Sequence, residues 1–311
     1  MAKSSMFGLK GMAKSAMKVG KFGADLAKPV ASIAGSVVVY EASKPRSPKT
    51  VKLLRKGIEA FQRGDYSAAY RYFQKAADLG SGDAYYAMAS MHSDGEGVEK
   101  SEVRAFELFK RGADIGDGAC ARETALRYMY GPGVEISNQK AYDYCVIAAK
   151  KGDPRGTALL GYFYESGVVV SQNCHEAADL YKLAAKENDS YALYRLGVLY
   201  LEGLGVGKNR PKAFDYMYKA AHAGQIGAMT ELAIFYINGT GTPVNYEEAF
   251  KWSKLAADKG SVSALNNLGW LYNNGYGVPK SEDEALKWYK MAMDAGSETA
   301  RNNYNKLMAN R

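Results

Sequence analysis

The chain has 311 residues, of which 47% are hydrophobic and 24% charged, with three cysteines and a formal net charge of +8. That apolar share excludes wholesale disorder, and the lack of any run of 18 apolar residues excludes a conventional membrane-spanning helix. The charge sits at one end: residues 1–50 hold nine Lys or Arg against Asp25 and Glu41, and the rest of the chain is nearly balanced, which gives no support to a nucleic-acid-binding face on the body.

Residues 1–40 differ in kind from the remainder of the chain. Lys3, Lys10, Lys14, Lys18, Lys21 and Lys28 fall within an arc of about 80° on a helical wheel at ~100° per residue. Leu9, Met12, Ala13, Ala16 and Val19 lie mostly opposite. This phasing predicts a cationic amphipathic helix over residues 1–29 that lies on an anionic membrane surface. Gly8, Gly11, Gly20 and Gly23 weaken a helix and support the competing reading, a lysine-rich flexible leader. Val30 through Tyr40 is apolar but too short to span a bilayer, and Tyr40-Glu41-Ala42 makes a poor signal-peptidase site. Lys44-Pro45-Arg46-Ser47-Pro48-Lys49 reads as an extended linker.

From residue 51 onward a 36-residue period governs the chain. Ala76-Ala77 with Gly80 returns as Gly112-Ala113 with Gly116, Ala148-Ala149 with Gly152, and Ala184-Ala185 with Asn188. It continues as Ala220-Ala221 with Gly224, Ala256-Ala257 with Gly260, and Ala292-Met293 with Gly296. A second comb holds Ala69, Ala105, Ala141, Ala177, Ala213, Ala249 and Ala285. A third is His92, Tyr128, Tyr164, Tyr200, Tyr236 and Tyr272, which the spacing assigns to inter-repeat core. A fourth contains only small residues, Ala89, Ala125, Gly161, Gly197, Ala233 and Gly269, where a partner helix can approach closely.

Within one unit the spacing is helical. Ala192, Leu196, Leu199 and Tyr200 share a face, and Gly203-Leu204-Gly205-Val206 ends that helix because glycine takes the left-handed conformation of a C-cap. A second helix begins near Pro211, carries Ala213, Tyr216, Ala220 and Ala221 inward, and stops at Gly224. Asn188 stands where its neighbours have glycine and suits the left-handed region next best. Val169 stands where other loops have their second glycine; a β-branched residue is costly at positive φ, so this loop should differ locally.

The unit Ala-x-x-x-Leu-Gly-x-x-Tyr-x-x-Gly-x-Gly-Val, then Ala-x-x-Tyr/Trp-x-x-x-Ala-Ala-x-x-Gly, clearest at 192–224 and 264–296, resembles the Sel-one-like repeat of the tetratricopeptide superfamily. The resemblance divides the chain into a leader and linker (1–50), a tetratricopeptide-like opening repeat (51–82), six Sel-one-like repeats (83–297) and a capping helix (298–311). It implies an all-α, right-handed superhelical α-solenoid of about fourteen helices.

It also implies a non-catalytic adaptor that holds a protein or peptide partner in a concave groove lined by the first helix of each repeat. Carried across, that frame gives Arg122, Arg155, Tyr162, Tyr191, Tyr194, Arg195, Asn266, Asn267, Trp270, Asn302 and Asn303 as groove residues. The alternative is a membrane-recruited or secreted factor, for example a bacterial effector, directed by its leader. No nucleophile–base set, HExxH or phosphate loop stands out, since the glycine pairs recur after helices and read as turns. No enzyme, cofactor or metal role is expected. Cys120, Cys145 and Cys174 share no short spacing and fit a reducing, cytoplasmic setting, with secretion or organelle targeting by the leader as the alternative. The sequence leaves the oligomeric state open.

Overall fold

The computed structural model describes residues 47–310, preceded by the backbone of two dipeptide strands, β1 (Ser32–Ile33) and β2 (Ser36–Val37), which pair antiparallel. The lysine arc of residues 1–29 lies outside the described residues. The chain divides into two units, Met1–Leu183 and Ala184–Arg311. The first holds α1 (Pro48–Gln62), α2 (Tyr66–Ala77), α3 (Gly82–Asp94), α4 (Glu102–Asp114), α5 (Gly118–Tyr130), α6 (Asn138–Lys150), α7 (Pro154–Ser166) and most of α8 (Cys174–Lys186). The second runs from the end of α8 through α9 (Ser190–Glu202), α10 (Arg210–His222), α11 (Ile226–Asn238) and α12 (Tyr246–Asp258) to α13 (Val262–Asn274), α14 (Glu282–Asp294) and α15 (Glu298–Ala309). Fifteen helices are therefore present among the described residues, against the about fourteen that the combs predict.

Odd-numbered helices open a repeat and even-numbered ones close it. From α3 to α14 every helix is 13 residues long, because its start and stop signals recur with the period. Asp65, Ser101, Ser137, Asn173, Asn209, Asn245 and Ser281 cap the even helices, each side chain accepting from a backbone N–H three residues on. Ser81, Asp117, Asp153, Asp189, Ser261 and Ser297 do the same for odd helices, and Gln225 stands in that series without a capping hydrogen bond. At the other ends, Gly95, Gly131, Gly167, Gly203, Gly239 and Gly275 are left-handed C-caps. Asn188, at φ 57°, is the one non-glycine at positive φ among the described residues, in the place its sequence slot predicts.

Packing follows the combs. Ala89, Ala125 and Ala233 are fully buried, and the glycines of that slot lie under a bulky side chain of the following helix. A Cβ on Gly161 would lie 2.9 Å from the Tyr181 ring, one on Gly197 2.9 Å from Met217 Cε, and one on Gly269 2.5 Å from the Tyr289 ring. Tyr181, Met217 and Tyr289 are all buried, so the backbone gives up a methyl where its partner is large.

Apart from Tyr200, which has Ala178 in that place and stacks on Tyr216 instead, the members of the tyrosine comb meet an aromatic 22 residues earlier, on the closing helix of the preceding repeat. Ring centroids are 5.7 Å apart for Tyr70–His92, 5.3 Å for Phe106–Tyr128, 6.5 Å for Tyr142–Tyr164, 5.4 Å for Phe214–Tyr236 and 5.6 Å for Phe250–Tyr272, all edge-to-face. The comb is inter-repeat core, as the spacing predicts.

Val169 is not at positive φ, whereas Gly97, Gly133, Gly205, Gly241 and Gly277 in its slot all are. The second glycine of a loop rests on the first turn of the preceding closing helix: a Cβ at Gly133 would collide with the Glu102 carbonyl, and one at Gly241 with that of Arg210. Val169 carries the Cβ that this contact excludes, so its loop takes another course.

Candidate partner-binding surface

The opening helices bury their Leu, small and Tyr positions and leave a flanking face for other work. In the first unit α3, α5 and α7 also touch one another, while contacts between successive closing helices are sparser. The opening helices thus form the inner layer of that unit.

A charged network crosses this layer. Arg127 stands over the Phe109 ring, 4.2 Å from its centroid. Its guanidinium donates to Ser93 Oγ at 2.8 Å and to Glu123 Oε2 at 3.2 Å, and approaches Glu102 Oε2 at 3.5 Å. Glu123 also accepts from Arg122 at 3.0 Å, and Arg122 Nη1 donates to Asp153 Oδ2 at 3.0 Å. Asp153 accepts in addition from the Gly156 N–H that it caps, at 2.6 Å. Charges on α4 and α5 and at the start of α7 are thereby joined.

Burial raises the Asp153 carboxyl above its usual range, with Arg122 and the Gly156 N–H pulling the other way. Burial also works against the Arg122 charge, but Asp153 and Glu123 outweigh it and hold the guanidinium protonated. Burial beside Glu123 raises Tyr86 to about 12. Arg122 is thus committed to internal ion pairs, its side chain 20% exposed. It clasps two repeats together and is not a free groove residue. Glu123, Arg127 and Asp153 escape a reading of the sequence one repeat at a time, although the Glu123–Arg127 spacing of four residues is a visible helix pair. Arg155 and Tyr162, further along the same layer on α7, are half-buried.

In the second unit Tyr191, Tyr194 and Arg195 stand half-buried on α9. Tyr194 leans on the start of α11, where a Cβ on Gly227 would lie 3.5 Å from its Cζ. The Arg195 guanidinium is 6.0 Å from the Tyr194 ring centroid. On α13, Asn266 accepts from Asn303 Nδ2 of α15 at 2.9 Å. The amides brought together on these successive opening helices are those of Asn266 and Asn303. Asn267 Nδ2 is fully buried with no hydrogen-bond partner among the described residues, and Asn302 is exposed. Trp270 lies 5.2 Å from Tyr276, which stacks on Tyr246 at 4.3 Å, an aromatic ladder that fixes the indole's orientation.

The geometry is that of a helix-hairpin repeat array, and comparison with known proteins names the repeat. Seven consecutive segments, 52–81, 82–117, 119–153, 154–189, 190–225, 226–261 and 262–297, match the Sel1 repeat. The chain belongs to the Sel1 repeat family. The first match covers the segment that resembles a tetratricopeptide-like opening unit, so the same model describes it and the six repeats after it. Among solved structures, a Sel1 repeat protein from Oxalobacter formigenes is 30% identical, covering 78% of this chain and 99% of its own, with a TM-score of 0.71. The c5321 protective antigen of uropathogenic Escherichia coli, described as displaying an SLR fold, is 24% identical over 84% of this chain and 65% of its own, with a TM-score of 0.56. No curated protein matches the chain in sequence. The fold is an all-α solenoid, and Sel1 repeat proteins are generally protein-interaction scaffolds.

Among the described residues no helix is long and apolar enough to cross a membrane, and no three His, Cys, Asp or Glu converge as metal ligands. Burial pushes the Cys120 and Cys145 thiols well above their ordinary value, and Cys174 is partly exposed.

Proposed function

We propose that this Sel1 repeat protein is a non-catalytic adaptor that binds a protein or peptide partner in a groove lined by its opening helices. The observation that carries the reading is the side-chain character of those helices in the second unit. Tyr194, Arg195, Asn266, Asn267, Trp270, Asn302 and Asn303 flank the packed positions, and all but the exposed Asn302 are held half-buried by neighbouring residues. Anchored aromatic and Arg groups lose little freedom when a ligand docks, and such groups dominate interface energetics. Arg122 contributes indirectly, by fixing the inner layer of the first unit.

Affinity capture with the full chain, with Tyr194→Ala/Arg195→Ala, and with Asn267→Ala/Asn303→Ala tests the proposal. A partner retained by wild type and lost from both variants, at unchanged thermal stability, supports it. Undiminished binding by both variants refutes it. The concentration of basic residues in 1–50 supports a second reading, in which the leader directs the chain to an anionic membrane surface or across a membrane. Deleting residues 1–50 separates the two: a groove partner survives the deletion, and a leader-dependent location does not. On the first reading the protein works in the cytoplasm, in a reducing setting that suits its unpaired thiols.

A further inference from the structure

The Val169 loop borders a cavity of about 360 Å³, lined by Tyr142 of α6, Tyr164 of α7, Val170, Ser171, Gln172 and Asn173 of the loop, and Glu176 of α8. That volume lies within the range of small-ligand sites. Three features set it apart from the corresponding places in other repeats. First, the loop that would rest its second glycine on the preceding helix cannot do so, because that residue is Val169. Second, Tyr142 meets Tyr164 of the tyrosine comb, which brings two hydroxyls side by side, whereas the partner of the comb is Phe at 106, 214 and 250 and Tyr70 faces His92.

The third feature concerns Glu176. The same slot holds Glu248 in α12 and Glu284 in α14, and each is neutralised by a lysine three residues on. Lys251 Nζ is 2.7 Å from Glu248 Oε1, and Lys287 Nζ is 2.5 Å from Glu284 Oε1. Three residues after Glu176 stands Asp179, a like charge already paired with Lys182 at 2.9 Å. Glu176 Oε1 is fully buried and has no hydrogen-bond partner among the described residues. An ion whose counter-charge is missing from a cavity wall is costly unless something else supplies it.

We propose that this cavity is a binding site for a primary alkylammonium group, whose charge pairs with the Glu176 carboxylate and whose stem lies against Tyr142, Tyr164 and Val170. The ammonium supplies the donor that Lys251 and Lys287 supply to the equivalent glutamates. The two aromatic rings add cation–π attraction, and the apolar wall accommodates methylene groups. The site is separate from the opening-helix face and does not depend on the adaptor reading. A lysine side chain of a partner and a free diamine share this chemistry.

Calorimetric titration of the full chain with Nα-acetyl-lysine N-methylamide and with 1,5-diaminopentane distinguishes the two sources, and Nα-acetyl-norleucine N-methylamide controls for the stem alone. Saturable binding of either amine, at least about tenfold tighter than the norleucine probe, is expected from a charge-assisted contact. Glu176→Gln should weaken it about tenfold. Asp179→Lys should abolish it by placing the missing ammonium within the chain, and Val169→Gly should weaken it by letting the loop close. Thermal denaturation confirms that each variant folds. The proposal is overturned if neither amine saturates, if the norleucine probe binds equally well, or if the well-folded Glu176→Gln and Asp179→Lys variants bind like wild type.

Discussion

Replacing Gly269 by Ala adds one methyl group at a place where the structure leaves no room for it. The new Cβ would lie 2.5 Å from Tyr289 Cδ1, 2.6 Å from Cε1 and 2.9 Å from Cγ, so the ring or the helix must move by about an ångström to restore ordinary contact. Tyr289 is buried at 2% exposure, and its planar ring cannot bend away from one edge. Overpacking of this kind costs roughly 1–3 kcal/mol, against about 1 kcal/mol gained when Ala replaces Gly within a helix. The expected net loss is about 0–2 kcal/mol. Gly197, in the same slot two repeats earlier, gives the control, because its added Cβ would meet the mobile Cε of Met217 at 2.9 Å. A methionine end swings aside cheaply, so Gly197→Ala should be neutral or stabilising by up to about 1 kcal/mol. Both positions lie in the second unit, so urea unfolding followed by circular dichroism compares them within one body. Adding Tyr289→Met to Gly269→Ala should recover much of the loss, which a double-mutant cycle measures. If Gly269→Ala proves at least as stable as Gly197→Ala, the trade of backbone methyl for side-chain bulk is not what sets these slots. Gly197→Leu, which adds three carbons beyond the Cβ, should be destabilising by about 1–3 kcal/mol on the same grounds.

Gln225 caps α11 without a side-chain hydrogen bond, so Gln225→Asp should raise the unfolding midpoint by the equivalent of about 0.5–2 kcal/mol, whereas Asp189→Ala at the matching cap of α9 should lower it by a similar amount. Burial raises Glu231 above its ordinary 4.5 and disfavours its charged form, so its contribution to stability is largest when it is protonated in acid and is lost as pH rises through the folded pKa. Glu231→Gln should therefore be more stable than wild type at neutral pH, with the difference vanishing in acid, as paired denaturation curves would show. Cys120 and Cys145 are buried thiols held protonated, so a chromogenic disulfide reagent should label Cys174 quickly in the native protein and all three cysteines only in denaturant.

How far the amino-acid sequence reveals a feature depends on whether that feature repeats. Ala69 and its successors, the tyrosine comb and the glycine stops each answer to a local requirement that returns every 36 residues, and the structure places them as the spacing predicts. The cap series from Asp65 to Ser281 and from Ser81 to Ser297 is just as periodic in the sequence. Gln225 apart, it varies among Asp, Asn and Ser, which share an oxygen acceptor and not a shape, and so is harder to notice. Partners of side chains on adjacent opening helices are not legible in the same way. Whether Asn303 meets Asn266 or Asn267, or whether Arg122 reaches Asp153, depends on the offset between neighbouring helices, and a shift of one residue turns a side chain by about 100°. For that reason the spacing assigns the groove residues as a set to particular helices and leaves their contacts open.

A periodic array also changes how an exception should be weighed. In a solenoid each repeat gains stability mainly from its own packing and its immediate neighbours, so a departure in one unit is not compensated by distant ones. Repeat 154–189 concentrates such departures: Val169 in place of a loop glycine, Asn188 in place of a stop glycine, Glu176 followed three residues on by Asp179 where Glu248 and Glu284 are followed by a neutralising lysine, and Tyr164 facing Tyr142 of the preceding helix where Tyr128, Tyr236 and Tyr272 face Phe. Asn188 has a conformational explanation, since asparagine tolerates its φ of 57°. The others do not share one. Val169 gives up a close loop contact, Asp179 leaves a carboxylate oxygen of Glu176 without its cation, and Tyr142 puts a hydroxyl where a hydrocarbon edge suffices. Each would be a small loss to the fold by itself, yet all three bear on the same 360 Å³ cavity, through the Val169 loop, Glu176 and Tyr142 in its wall. Unrelated defects have no reason to converge on one volume, whereas groups shaped to receive a cation from outside the chain must.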